Sequence, residues 1–250
     1  MTRDRGSGAG DQGPASCHCA AGALTGLGNP EGKPARVTLF CGHYGSGKSN
    51  LAVNYALWLR QQALPAALAD IDVVNPYFRS ADSRRELEAA GVQVISLPFA
   101  NSNVDLPALP QEVYGLVQRR DVYAVLDIGG DDRGALALGR YVPYILEEND
   151  FDNLFVVNFY RPLTRTADEA LEVLREIELA CRLPFTGIVN NSNLGRETTA
   201  ADVERTFALA EALSQKAGLP IRFTSFEQTI PLQCDPAFPL TLQRNNPAFG

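Results

Sequence analysis

The chain has 250 residues, 45% of them hydrophobic and 20% charged, with a formal net charge of -7 at pH 7. The acidic balance argues against a broad electrostatic footprint for DNA or RNA. No run approaches the ~18 apolar residues of a membrane span, and the N-terminus lacks the apolar core of a secretory signal, so one cytoplasmic α/β domain is the expectation.

Residues 1–34 are dominated by Gly, Pro, Ser and Ala without apolar periodicity and read as a disordered tail, leaving 35–250 for the domain. Cys17-His18-Cys19 in that tail could hold a metal in a dimer, but it has no second ligand pair beside it. The five cysteines, completed by Cys41, Cys181 and Cys234, follow no disulfide framework.

The apolar run Val37-Thr38-Leu39-Phe40 reads as a strand and leads into Gly42-His43-Tyr44-Gly45-Ser46-Gly47-Lys48-Ser49, which matches G-x-x-x-x-G-K-[ST] at every fixed position. In such a loop the glycines let backbone N–H groups turn toward phosphate oxygens, Lys48 reaches the outer phosphates, and the Ser49 hydroxyl ligates Mg²⁺. Ser49 and Asn50 open a helix over 49–63, with Leu51, Tyr55 and Leu59 on one stripe and its N-terminus aimed at the phosphates.

Further buried strands are expected at 66–69, 92–95, 122–126, 154–157 and 185–189, with a seventh near 221–223. Helices are expected between them at 81–90, 111–119, 134–148, 167–182 and 200–217. Thr166-x-x-Glu169 and Thr199-x-x-Asp202 are capping patterns at the starts of the last two. Wholly apolar strands, each followed by an amphipathic helix, predict a mostly parallel seven-stranded sheet with helices on both faces. The proline-rich stretch from Glu227 reads as irregular chain that either closes over the base or meets a partner.

Ligands of such a sheet sit beyond the carboxyl ends of its strands. After the second strand, Asp70 and Asp72 would share a face, one to orient an attacking water and the other to support Mg²⁺ through its hydration shell, with Asp72 preferred for the water; a capped turn before Pro76 is the alternative. In the same segment Asn75 and Arg79 are candidates for a nucleophile or substrate contact and for an arginine finger. Asp127, closing the fourth strand, has the position of a Walker B carboxylate that holds Mg²⁺, or else caps a helix. Gly130 makes an Asp-x-x-Gly turn able to sense a γ-phosphate, while Asp131 and Asp132 are either functional or solvated loop charges. Arg161, after the fifth strand, is a candidate for an anionic substrate. Asn190 and Asn191, after the sixth, are candidates for base contact, with stabilisation of a turn as the alternative for either. An amide there complements adenine better than guanine, which favours ATP.

The phosphate loop, the Asp-x-Asp after the second strand, the Asp-x-x-Gly after the fourth and the Asn after the sixth, in that order, resemble the CobQ/CobB/MinD/ParA nucleotide-binding superfamily of P-loop ATPases. The likeness runs from residue 36 to about 232 and marks a branch of stand-alone ATP-binding proteins with Asp-Ile-Asp-x-x-Asn-Pro-Tyr-Phe-Arg and Asn-Asn-x-Asn-Leu-Gly. It implies an Mg²⁺-dependent ATPase that binds ATP and ADP, switches its hold on a protein partner or maturation client, and forms a nucleotide-sandwiched homodimer. His43 stands where many members carry a signature lysine, so the cross-subunit lysine contact does not transfer. Two other readings stay open: a small-molecule kinase or ATP-dependent ligase, and a binding module without useful turnover.

Overall fold

The structure, a computed structural model, describes residues 33–71, 81–96, 111–129 and 138–242. Cys17-His18-Cys19, Asp72, Asn75, Arg79, Gly130, Asp131 and Asp132 lie outside the described residues.

Eight strands form one sheet: β1 Val37–Cys41, β2 Ala66–Ile71, β3 Gln93–Ser96, β4 Tyr123–Ile128, β5 Phe151–Val157, β6 Gly187–Asn190, β7 Ile221–Glu227 and β8 Ala237–Leu240. Their order is β3-β2-β4-β1-β5-β6-β7-β8, and every pairing is parallel. The helices are α1 Lys48–Gln61, α2 Ala81–Ala89, α3 Gln111–Gln118, α4 Val142–Glu148, α5 Ala167–Cys181, α6 Ala200–Glu204 and α7 Phe207–Ala217. The two inner strands β1 and β2 are buried at every residue, which is why they read as unbroken apolar runs rather than alternating ones.

Alternate residues of each strand feed two cores. Leu39, Ala69, Leu126 and Phe155 pack with α3, α4, α5 and α7 on one face, while Phe40, Leu68, Val125 and Leu154 pack with α1 and α2 on the other. Burying one such Leu or Phe side chain contributes about 1.5–3 kcal/mol. At the amino-terminal edge Arg36, 5% exposed, donates to the carbonyls of Val117 (2.6 Å), Arg119 (2.7 Å) and Val122 (3.3 Å) and pairs with Glu148. The guanidinium thereby satisfies orphan carbonyls at the end of α3 and ties α4 to the sheet.

Two expectations change. The sheet has an eighth strand, β8, inside the stretch read as irregular, because its residues 237–240 pair with β7 despite Pro239. An edge strand tolerates a proline where an inner strand does not. The helix expected over 200–217 is divided into α6 and α7 at Arg205 and Thr206. Thr206 is buried with its hydroxyl donating to Val203 O (2.7 Å) and accepting from Asn190 Nδ2 (2.9 Å), an alternative to uninterrupted helix that Thr side chains offer. Both capping boxes form as read, Thr166 with Glu169 and Thr199 with Asp202.

Candidate functional site

Because all strands run the same way, every loop that follows a strand emerges at one edge of the sheet. The loop after β1 is fixed there by what glycine lacks. A Cβ on Gly42 would overlap the Val156 carbonyl oxygen of β5, and one on Gly47 would overlap the Asn191 amide. Gly45 and Gly47 also have φ of 76° and 89°, a region that favours glycine. Ser46 N donates to His43 O (3.1 Å) and Leu51 N to Gly47 O (3.1 Å), so the loop closes on itself and runs directly into α1. The first turn of α1 carries no acidic residue and no side-chain cap, leaving its N–H groups and positive dipole end to an anion.

Lys48 is 5% exposed, and its ammonium donates to His43 O (3.2 Å) across the loop it would help to close over phosphate. The Ser46 hydroxyl is buried without a hydrogen-bond partner among the described residues. Ser49 is half-buried at the start of α1. The His43 ring is half-buried, with Nδ1 3.1 Å from Tyr44 O, whereas Tyr44 is 66% exposed and points out of the loop. Asn50 is buried, and Asn54 Nδ2 donates to its carbonyl (2.7 Å).

The acidic pair is placed by register. Asp70 of β2 and Asp127 of β4 are direct cross-strand partners, and Asp127 in turn neighbours Phe40 of β1. Asp70 and Asp127 share the parity of Leu68 and Val125, so both carboxylates project from the α1 face, the face that carries Lys48 and Ser49. They are 2% and 0% exposed. Two buried carboxylates side by side with a serine hydroxyl are hard oxygen donors, the kind Mg²⁺ takes one or two of while keeping water and phosphate as its other ligands. Next to them, burial first, then the neighbouring Cys181 thiol, pushes the Cys41 thiol up, with Lys48 pulling it down and Asp127 raising it. Cys41 is therefore an inert small residue at the strand end.

The amides after β6 differ from their expected role. Asn190 is 0% exposed, and its side chain is spent internally: Nδ2 donates to Thr206 Oγ1, while Oδ1 accepts from Ser192 Oγ (2.7 Å) and Ser192 N (3.3 Å). Asn191 donates from Nδ2 to Ser46 O (2.7 Å) and accepts at Oδ1 from Ser225 Oγ (2.7 Å), so it braces the phosphate loop against β7. Asn190 is thus a structural amide in this geometry, whereas Asn191, committed at both ends of its amide, still forms part of the cleft wall. Asn191 and Asn193 both line open space, and Asn193 has Nδ2 donating to Asn191 O (2.8 Å) and Oδ1 accepting from Gly195 N (3.1 Å).

That space is a narrow cleft of about 20 Å³, little more than one water, at the start of α1. Asn50, Asn193, Phe226, Glu227, Leu240 and Leu242 contribute to its wall. The sequence leaves the stretch from Glu227 either closing over the base or meeting a partner, but it does not single out Glu227, Leu240 and Leu242, because they meet only through β8. The detectable signal was the apolar alternation of Phe238 and Leu240 within the prolines. Arg161 lies on the other flank of the loop, donating from Nε to Gly45 O (3.1 Å). Among the described residues no group of three or more His, Cys, Asp or Glu forms a metal cluster, and no helix is long and apolar enough to cross a membrane.

The sequence matches no protein-family model and no curated protein. Solved structures do match. The cell division protein FtsY of Thermotoga maritima superposes with a TM-score of 0.53 at 21% identity, over 81% of this chain and 65% of that one. Chloroplast FtsY of Physcomitrella patens gives 0.52 at 16% identity, over 80% and 60%. A crystal structure of FlhF complexed with GTP and Mg²⁺ gives 0.49 at 12% identity, over 84% and 71%. The chain thus spans somewhat less than two thirds of the FtsY structures it matches, and what the likeness shows is the α/β fold of P-loop NTPases.

Proposed function

We propose that this protein is an Mg²⁺-dependent P-loop nucleotide-binding protein that prefers ATP and hydrolyses it to switch its hold on a protein partner or client. The observation that carries the reading is the convergence at one sheet edge of the glycine-shaped loop, the buried Lys48, and the adjoining carboxylates Asp70 and Asp127.

In this reading the loop amides and Lys48 bind the β- and γ-phosphates, and the Ser49 hydroxyl with Asp127 would hold the cation. Bound Mg²⁺ supplies neutralisation of charge on the phosphate oxygens. Asp70, beside Asp127 in the ladder, orients the cation's hydration shell. Asp72, which shares Asp70's parity if the strand continues, orients the attacking water, and Gly130 senses the γ-phosphate. The cleft beside α1, about 20 Å³ in this conformation, widens to take the base. Asn193 keeps one amide hydrogen and one oxygen lone pair beyond its internal bonds, one donor and one acceptor, which complements the adenine edge. The motif resemblance to the MinD/ParA group supports the partner switch and a homodimer at this same edge.

Titration of the protein with ATP and GTP, with and without Mg²⁺, tests the reading, together with phosphate release in the absence of any acceptor. ATP binds more tightly than GTP, and Lys48→Ala abolishes binding or turnover; retained ATP affinity in that variant sinks the site assignment. A strict requirement for a small-molecule acceptor would replace hydrolysis by phosphotransfer.

A further inference from the structure

We propose that Arg161 is a second phosphate-binding cation of this site, acting on the outer phosphates from the flank opposite Asp70 and Asp127. The inference rests on the nucleotide reading above and goes beyond it in naming the residue that completes the charge of the loop.

Within the loop from Gly42 to Ser49, Lys48 is the sole Lys or Arg, and a nucleoside triphosphate brings several negative charges to it. Arg161 is an arginine that the fold brings against this loop. It follows β5, the strand whose Val156 carbonyl excludes a side chain at Gly42, so the two loops leave neighbouring strands in contact. Its Nε–H donates to Gly45 O, and the guanidinium lies over Gly45 so closely that a Cβ there would meet Nε at 3.6 Å, Cδ at 3.7 Å and Cζ at 3.9 Å. One of five guanidinium N–H donors is used in this way. The other four have no hydrogen-bond partner among the described residues, and the side chain is only half-buried. A planar fork held at one nitrogen with its two terminal nitrogens uncommitted is suited to bidentate contact with phosphate.

The segment that presents Arg161 is built to hold still. Asn158, 0% exposed, donates from Nδ2 to Asn193 O (3.1 Å) and accepts at Oδ1 from Tyr160 N (3.0 Å). Its carbonyl accepts from Thr164 Oγ1 (2.7 Å) and Arg161 N (3.1 Å), closing a tight loop around Arg161. Tyr160 OH donates to Asp202 O (2.8 Å) and anchors the same loop to α6. Leu163 takes φ of 67° with its side chain 60% exposed, a left-handed conformation unusual for a γ-branched residue. Pre-ordering the Arg161 side chain lowers the entropy lost when phosphate binds.

The test is the affinity of wild type, Arg161→Gln and Arg161→Lys for ATP, ADP and AMP, with the melting midpoint of the ligand-free proteins measured alongside. Arg161→Gln lowers ATP affinity by about ten- to a hundredfold, the scale of a charge-assisted hydrogen bond, and ADP affinity less. AMP affinity changes by less than about twofold, since that ligand lacks the outer phosphates. Arg161→Lys restores part of the loss, which a pure loop brace would not require. Equal loss for all three nucleotides, or ATP affinity unchanged in Arg161→Gln, overturns the assignment while leaving the nucleotide reading intact. Failure of the wild type to bind any of the three overturns both.

Discussion

Replacing Asn191 with alanine removes two side-chain hydrogen bonds at once, the donation to Ser46 O and the acceptance from Ser225 Oγ, both 2.7 Å and both buried. At a net 0.5–1.5 kcal/mol per bond the variant loses about 1–3 kcal/mol, with the upper end favoured because partners are left unsatisfied in the interior. For a chain of this size that lowers the melting midpoint by roughly 2–4 °C per kcal/mol, or about 2–12 °C in all. The loss also reaches function, because Ser46 belongs to the phosphate loop and Asn191 packs against Gly47. Loosening that loop weakens nucleotide binding by about 1 kcal/mol, a factor of roughly five. The loss does not depend on the base: ATP and GTP weaken by the same factor, since the brace acts on the phosphate end. Thermal unfolding by calorimetry and fluorescent-nucleotide displacement measure both quantities. A variant with an unchanged midpoint that loses ATP binding but keeps GTP binding would refute the brace and return Asn191 to base contact.

Gly42→Ala places a methyl group against the Val156 carbonyl, which is backbone of a central strand and cannot move aside cheaply. The variant is destabilised by about 1–3 kcal/mol and binds nucleotide at least tenfold more weakly; a crystal structure with an undisturbed loop would contradict the packing argument. Burial holds the Asp152 carboxyl above its usual value of 3.8, against the lowering pull of Arg222 and Thr186. A raised carboxylate takes up its proton more readily in the folded protein, so its contribution grows as pH falls from above the raised value to below 3.8 and is lost as pH rises again. The midpoint difference between wild type and Asp152→Asn should therefore increase toward acid, and a flat or shrinking difference across that window would disprove it.

Much of the fold was legible because its strands are buried on both faces, which leaves β1, β2, β4 and β5 as apolar runs with no competing helical period. The phosphate loop was legible for a different reason: its glycines are demanded by backbone contacts at Val156 and by positive φ, and such demands leave a fixed spacing in the chain. What stayed hidden depends on partners far apart in sequence. Asn190 and Asn191 carry the same amide, and no local pattern tells that Thr206, Ser46 and Ser225 consume both of their hydrogen-bonding ends. The break at Thr206 has the same origin, a hydroxyl recruited by an asparagine 16 residues earlier. Strand β8 was concealed by Pro231, Pro236 and Pro239, whose local meaning is loop and whose tertiary meaning is edge.

Pro239 has a consequence for how this molecule meets others. Pro236 O and Leu240 O accept from Thr224 N and Gln228 N, so the even-numbered positions of β8 bond inward to β7, and the odd-numbered ones face outward. At Pro239 there is no outward N–H. At Thr241, the next outward position, N–H and C=O are already taken by the Asn54 amide at 2.8 and 3.0 Å. The rim of the sheet at β8 thus offers an incoming strand almost nothing to zip onto, and the molecule is guarded there against runaway sheet extension. Association on this side of the molecule draws more on side chains than on backbone.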